Sequence, residues 1–498
     1  MKIPMSRAAP LLMILAVLLL PRPARAQFVD FQDFLDQVNA LPTAAERDSV
    51  VQLFMDFAAN NGGFPYIEGT QAHFIYYNSA SSVGVPGDFN GWEPTADLCQ
   101  RITLTNFFYL IKTFEIDARL DYKFYLNGGT WILDPLNPNQ VSGGFGPNSE
   151  LAMPGYVQPP EIQYDPGYLH GTVSSHTIYS TVMGLTFGYG VYLPPNYDAG
   201  RPEGYPVVYM LDGQEYYALA SINNTADYLI HHGLMDEAIL VLQQPVDRNN
   251  EYWLNEAFVA FLGDELVPEI DAAYNTIHAP GGRAVSGVSL GGLTSTYACI
   301  HRPDLFGHCA AQSPAYWIDS GEIFNLLNTI GFDPEISVYM DWGTYEASIQ
   351  GPAITARDWF IANGNPIIAN EYHEGHSWGQ WRAHIDDGLM FFFPGSTGIE
   401  SDERVAAAGF EVRNHPNPFR GVTTISFDLP GSGPVVVDVF NALGQRIRTL
   451  ADENVTGGEH SVVWDGLDDR RIRVSSGVYF YRVQAGDRVA VRKGLLLE

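Results

Sequence analysis

The spacing of hydrophobic positions changes repeatedly along the 498-residue chain, and each change marks a different kind of element. Leu11 to Leu20 is a continuous apolar run. Phe31, Phe34, Leu35 and Val38 then recur at helical spacing, and Thr43-Ala-Ala-Glu46 makes a capping box ahead of Val50, Leu53, Phe54 and Phe57, so a helical segment is predicted over 27–60. Over 61–160 the runs become short, aromatic and β-branched, broken by Gly, Pro and Asn, which is the pattern of a β-sandwich. Over 161–396 strand-like and helix-like segments alternate. Tyr205-Pro-Val-Val-Tyr-Met-Leu-Asp212 and Ala238-Ile-Leu-Val-Leu242 suit buried parallel strands, while Ala257 to Tyr274 carries helical spacing. The Gly, Ser and Thr after Pro394 read as a linker over 397–409. Alternation at Val435, Val437 and Val439 belongs to a second β-rich unit over 410–498.

Charge changes the picture at the N-terminus. Lys2 and Arg7 precede the apolar run and Ala24-Arg25-Ala26 follows it, so residues 1–26 read as a secretory signal peptide, the run being too short for a spanning helix. A retained membrane anchor is the other reading of this segment. Its removal takes away four positive charges and no acid, moving the formal charge from -30 to -34. A chain so acidic repels nucleic acid and anionic membranes, and no later segment is long and apolar enough to cross a bilayer. The length implies about three folded units. Three cysteines allow at most one disulfide. Cys299 and Cys309 either bridge or stand as two buried free thiols, and Cys99 lies far from both.

The candidate chemistry lies at Arg283 to Ala298, where a strand-like run meets a helix-like run through a glycine-rich corner. Gly287-Val288-Ser289-Leu290-Gly291 fits a nucleophile elbow, with small residues letting the chain turn tightly around Ser289. Gly375-His376-Ser377-Trp378-Gly379 fits the same pattern. Order favours Ser289, because an acid and then a histidine must follow the nucleophile, and nothing suitable remains beyond Ser377. A serine hydroxyl needs a base, and His376 sits in a glycine-containing loop after the strand-like Pro366 to Tyr372, with His373 as its rival. An acid must orient that base. Asp341 and Glu346 both follow the strand-like Ile336 to Met340. The oxyanion donors expected are the N–H of Leu290, directly after the nucleophile, and that of Gln214, in the loop after Leu211-Asp-Gly.

Five motifs then carry a resemblance. Val191-Tyr-Leu-Pro-Pro-Asn-Tyr197, Leu211-Asp-Gly-Gln214, Arg248-Asn-Asn-Glu-Tyr252, Gly287-Val-Ser-Leu-Gly-Gly292 and Glu374-Gly-His-Ser-Trp378 resemble, in that order, the esterase family of enterochelin esterases, esterase D and feruloyl esterases. The resemblance implies an α/β-hydrolase domain and places the acid three residues past Gly343, which selects Glu346 with Asp341 as the alternative. It also implies that Arg248, Glu251 and Trp378 shape the substrate pocket, a structural ion pair being the other reading of Arg248 and Glu251. Val85-Pro-Gly-Asp-Phe-Asn-Gly-Trp92, Asp121 to Gly128 and Trp131 to Pro138 resemble the N-terminal sandwich of glycogen-branching and debranching enzymes. Trp92 and Trp131 would then stack on carbohydrate, or else be core tryptophans of a sandwich packed on the catalytic domain. Asn414-His-Pro-Asn-Pro-Phe419, Val435 to Arg448 with Asn441-Ala-Leu-Gly-Gln445, and Ser476 to Tyr481 resemble the C-terminal sorting domain of type IX secretion cargo. That domain is an immunoglobulin-like sandwich, as is the fold expected for 61–160.

The combined expectation is a secreted or surface-held serine esterase, exported through the periplasm of a Gram-negative-type bacterium with secretion machinery engaging the C-terminal domain. It would form an acyl-enzyme, use no cofactor or metal, and act on aryl or acyl esters of carbohydrate, a polysaccharide-linked ester included. A siderophore trilactone esterase is the enzymatic alternative, disfavoured by export and by acidity toward anionic ligands. A non-catalytic carbohydrate-binding surface protein is the alternative of another class.

Overall fold

The computed structural model describes residues 28–395 apart from 145, and 412–497 apart from 416–418, 430, 442–445, 475–476 and 486–487. The predicted signal peptide, the predicted linker and parts of the three C-terminal motifs lie outside the described residues. Among the described residues no helix is long and apolar enough to cross a membrane.

Two helices open the described chain. Phe31–Asn39 is capped by Asp30, whose side chain accepts from the Asp33 N–H, and it buries Phe31, Phe34, Leu35 and Val38. Ala44–Asn60 starts at the capping box of Thr43 and Glu46, with both reciprocal hydrogen bonds formed. Its buried face is Val51, Phe54, Met55 and Ala58, whereas Leu53 is exposed. The predicted face was therefore rotated by about one residue, because capping fixes where a helix begins but the partner surface decides which stripe turns inward.

That partner is a four-stranded sheet containing Gln71–Tyr77 and Phe107–Thr113. Strand alternation splits its side chains between two cores. Ile75 and Phe107 meet the helices, where the Phe34 and Phe54 rings stack 4.1 Å apart. Phe74, Tyr76 and Phe108 face the other way, onto Leu120, Tyr122 and Phe124 of the two three-stranded sheets that complete the sandwich. Neither tryptophan singled out from the sequence belongs to this core. Trp131 is 45% exposed, and Trp92 is turned toward the next domain.

The central domain is one eight-stranded sheet in the order Thr172–Ser180, Leu185–Leu193, Ile239–Gln244, Val207–Met210, Arg283–Val288, His308–Gln312, Ser337–Gly343, Ile367–Tyr372. The first two neighbouring pairs are antiparallel and the remaining five are parallel. Hydrophobic clusters cover both faces, and helices Leu290–His301 and Trp378–Phe392 pack on opposite sides. Parallel strands so enclosed read as continuous apolar runs, which is how they stood out in the sequence. Their carboxyl ends share one edge, and the N-terminal sandwich docks there: the Arg119 N–H donates to the His373 carbonyl, and the Tyr345 hydroxyl donates to Glu115. Cys299 and Cys309 are buried free thiols.

Residues 412–497 form two further sheets around Val435, Val437, Val439, Trp464 and Tyr481. The strand Gly477–Ala485 touches the helix Trp378–Phe392, with Tyr479 near Asp387.

Candidate active site

Ser289 stands between a fully buried strand, Arg283–Val288, and the helix Leu290–His301. Its backbone is strained, at φ 57 and ψ -116. The turn is possible because a Cβ on Gly287 would lie 2.4 Å from the Gly291 backbone, so only glycine fits. Three hydrogen bonds pin the corner: the Ser289 N–H donates to the Gln312 carbonyl, and the Ser289 carbonyl accepts from Leu293 and Ala315. Leu290 opens the helix, so its N–H has no acceptor within the helix and remains free for a ligand beside the serine.

The serine hydroxyl lies 3.0 Å from His376 Nε2, and His376 Nδ1 lies 2.5 Å from Glu346 Oε1. The carboxylate can only accept, so Nδ1 carries the proton and Nε2 is left as the acceptor for Ser289. Glu346 Oε2 is held in turn by the Gly343 N–H at 2.5 Å and the Ser313 hydroxyl at 2.9 Å. Trp381 sets the imidazole from another side, its ring perpendicular at 4.9 Å while its Nε1 donates to Ser313. His373 is elsewhere, paired with Asp117 of the sandwich. Ser377 is buried and accepts from Arg119, with no base beside it.

Asp341 does not reach His376. The strand runs to Gly343 rather than ending at Met340, so Asp341 is inside it, fully buried, accepting from Gln312 and Tyr339. Burial raises its carboxyl to about 7, only partly opposed by His384. A carboxyl that binds its proton more tightly in the folded state loses stability as pH rises from the unfolded value near 4 toward 7. Asp341→Asn is therefore expected to flatten the fall in melting temperature between pH 5 and 8 and to leave kcat within about threefold of wild type. Thermal melts across pH, with ester kinetics alongside, check both.

Residues 180–392 match the family model described as "Putative esterase", and residues 414–488 match that of the FlgD Ig-like domain. The stretch that resembles the esterase family therefore coincides with the central eight-stranded domain of the protein. The protein is a carboxylic ester hydrolase. Among curated proteins, an Iron(III) enterobactin esterase of Escherichia coli O6:H1 is 28% identical over 274 residues, covering 52% of this chain and 66% of that one. The Endo-1,4-beta-xylanase/feruloyl esterase of Xylanibacter ruminicola is 28% identical over 152 residues, 28% of this chain and 21% of that one. This chain thus spans two thirds or less of the relatives that carry an activity in their names. The crystal structure of ferric enterobactin esterase from Salmonella typhimurium has a TM-score of 0.56 at 21% identity, covering 65% of this chain and 93% of that chain. That likeness is one of fold.

Two lobes of the esterase cleft meet at Ser289 and His376. The larger, about 610 Å³, is lined by the aromatic rings of Phe89, Trp92, Trp317 and Tyr345 together with Ile349, Asp88 and Ser348. The smaller, about 330 Å³, is lined by Asp121, the glycine loop from Gly143, Glu215, Arg248 and Trp378. Trp378 thus faces the pocket, its Nε1 donating to Glu215. Arg248 lines it too, while gripping Asp212 through two nitrogens at 2.8 Å. Glu251 does neither. It is fully buried and accepts from the Val246 and Asp247 N–H groups, bracing its own loop without touching Arg248 or the cleft. Gln214 is the second residue of the helix Gly213–Ala218, so its N–H also lies in a first turn. That turn is pressed against the neighbouring strand, where a Cβ on Gly213 would meet the Leu242 backbone at 2.2 Å.

Sequence reasoning singled out Trp92 as a carbohydrate platform or a core residue, but it missed Asp88 and Phe89 and did not place any of the three in this cleft. Asp88, Phe89 and Trp92 sit on the turn Gly87–Trp92, and the Asp88 carboxyl, raised to about 7 mainly by burial and then by Asp121, holds Trp92 Nε1. Aromatic residues flanked by glycine signal a turn, but nothing in their spacing says what the turn faces. Ser313 was missed as well, because its strained backbone at φ 43 and its bond to Glu346 appear only in the folded chain.

Proposed function

We propose that this esterase is a secreted serine hydrolase in which Ser289, His376 and Glu346 act as a triad on aryl or acyl esters of carbohydrate. The hydrogen-bonded row from Ser289 through His376 to Glu346 carries the reading. Ser289 Oγ attacks the ester carbonyl carbon while its proton passes to His376 Nε2, and Glu346 stabilises the imidazolium. The oxyanion is received by the N–H groups of Leu290 and Gln214. As the tetrahedral intermediate collapses, Nε2 returns the proton to the departing alcohol, leaving an acyl-serine. A water molecule, deprotonated by the same nitrogen, then releases the acid and restores Ser289.

The cleft favours an uncharged substrate. Glu215 and Glu346 line it, with Asp88 holding its proton up to about 7 and Asp121 paired with Arg119, against one guanidinium, Arg248, already committed to Asp212. An anionic iron–catecholate complex would meet net negative walls, so the trilactone reading is the weaker one despite the shared fold. An aromatic acyl group fits against the four rings of the larger lobe, and sugar hydroxyls find Asp121, Asn148, Glu215 and Arg248 as partners in the smaller one. Turnover of feruloyl-arabinose, acetyl-xylan and a catecholate trilactone, compared by kcat/KM, tests this. A preference for the trilactone would overturn it.

The C-terminal unit supports an export role through the sequence motifs that resemble a type IX sorting domain. Its contact with the helix Trp378–Phe392 centres near Asp387, nine residues and about 13 Å along the helix from Trp378. Truncation after Gly395 should leave kcat/KM within about threefold. In the native host it should abolish release to the surface, which fractionation would show.

A further inference from the structure

Two glycines flank the His376 loop, and both are crowded by the N-terminal sandwich. A Cβ on Gly375 would stand 2.1 Å from the Asp88 carboxyl carbon, and one on Gly379 would stand 2.0 Å from the Arg119 guanidinium carbon. These are the glycines that gave the loop its second nucleophile-elbow pattern. Their smallness admits another domain's side chains and has no part in exposing Ser377.

Arg119 opens the sandwich strand Arg119–Tyr122 and is fully buried. Its Nε and one terminal nitrogen donate to Glu150 at 3.1 and 3.0 Å, and the same nitrogen lies 2.7 Å from Asp121. A buried cation needs such partners, and both carboxylates belong to the sandwich, so the planar guanidinium is fixed there before it meets the hydrolase domain. Its other terminal nitrogen crosses the boundary and donates to Ser377 Oγ at 3.0 Å. The Arg119 backbone N–H crosses too, to the His373 carbonyl at 3.0 Å. The loop carrying His376 is therefore gripped three residues before the imidazole and one residue after it.

Ser377 has a vacant alternative role. It is the N-cap of the helix Trp378–Phe392, a position where a serine hydroxyl ordinarily accepts from the first turn, yet it makes no capping bond. The hydroxyl is turned to Arg119 instead. The imidazole side chain is itself 40% exposed, so packing alone does not fix it, and a glycine-containing loop has little stiffness of its own.

We propose that Arg119 is a positioning residue that acts through Ser377 to hold His376 Nε2 at hydrogen-bonding distance from Ser289. The N-terminal sandwich is on this view part of the catalytic apparatus rather than a tethered carbohydrate-binding module. Misplacing a catalytic group by about 1 Å costs on the order of 10²-fold in rate, and a loosened loop samples displacements of that size.

The test uses the full chain and p-nitrophenyl acetate, a substrate small enough to ignore most of the cleft. Ser377→Ala should lower kcat about tenfold with KM within twofold, and Arg119→Lys should lower it about 10²-fold, since an ammonium cannot reach Glu150, Asp121 and Ser377 together. Ser377→Thr keeps the accepting hydroxyl and should retain wild-type kcat. The low-field proton resonance of the His376–Glu346 hydrogen bond should broaden in Ser377→Ala at temperatures well below its melting transition, a change that simple loss of stability would not produce. Wild-type kcat in Ser377→Ala, or a loss confined to KM, overturns the proposal even if Arg119→Lys fails to fold. The proposal rests on His376 as the base, so His376→Ala is measured beside it. Full activity there would remove the triad itself, whereas an inactive His376→Ala with an unimpaired Ser377→Ala would remove only the role of Arg119.

Discussion

Ser289→Ala is expected to lower kcat for any carboxylic ester by on the order of 10⁴- to 10⁶-fold while leaving the melting temperature unchanged. The magnitude follows from the site's construction. The Ser289 hydroxyl is the group aligned on His376 Nε2, and no other serine or threonine described in the cleft has an imidazole or carboxylate at hydrogen-bonding distance. Ser377, the other serine in an elbow-like pattern, is buried with its hydroxyl engaged by Arg119. Alanine meets the same strained φ of 57 as serine, and the three backbone hydrogen bonds of the corner do not involve the side chain, so the fold has no reason to change. Single-turnover and steady-state kinetics on an activated ester, with a thermal melt of the same preparation, decide the matter. Turnover within tenfold of wild type would place the nucleophile elsewhere.

The elbow was legible because its glycines answer a purely local demand: the chain at Gly287 runs into its own backbone at Gly291. At Gly375 and Gly379 the same sequence pattern answers a tertiary demand, the approach of Asp88 and Arg119, which are more than 250 residues away in the chain. Pattern alone cannot separate the two. The choice between Asp341 and Glu346 turned on the end of one strand. Apolar runs reveal where a buried strand passes through the core, but they do not reveal that Asp341 and Trp342 continue the ladder to Gly343. Glu251 illustrates the converse. Its place three residues from Arg248 suggested a shared role, but their partners separate them, Arg248 reaching Asp212 at the cleft and Glu251 turning back to the Val246 and Asp247 N–H groups. Of the walls contributed by the sandwich, Trp92 could be read only as either a binding platform or a core residue and Phe89 not at all, because a β-sandwich uses the same residue types for its core.

Glu346→Gln is expected to lower kcat by about 10⁴-fold with KM little changed, by analogy with the loss seen when a triad acid is made neutral. The geometry explains why an amide of nearly the same shape should do such damage. Glu346 Oε2 receives two donors, the Gly343 N–H and the Ser313 hydroxyl, so the glutamine oxygen must occupy that position. The glutamine NH₂ is then forced toward His376 Nδ1. Two donors cannot share that contact, so the imidazole proton moves to Nε2, where it blocks acceptance of the Ser289 proton. The enzyme would fold normally and hold its imidazole in the inactive tautomer. Glu346→Asp keeps the charge but shortens the reach, and should fall between the two. The pH profile adds a distinguishing sign: raising pH cannot restore Glu346→Gln, because the fault lies in which nitrogen carries the proton rather than in how many protons the site holds. Steady-state kinetics of Glu346→Gln, Glu346→Asp and Asp341→Asn between pH 5 and 9 make the comparison. If Glu346→Gln retained more than a tenth of wild-type kcat while Asp341→Asn lost activity, the buried carboxyl inside the strand would be the working acid, and the short contact between Glu346 and His376 would have no catalytic meaning.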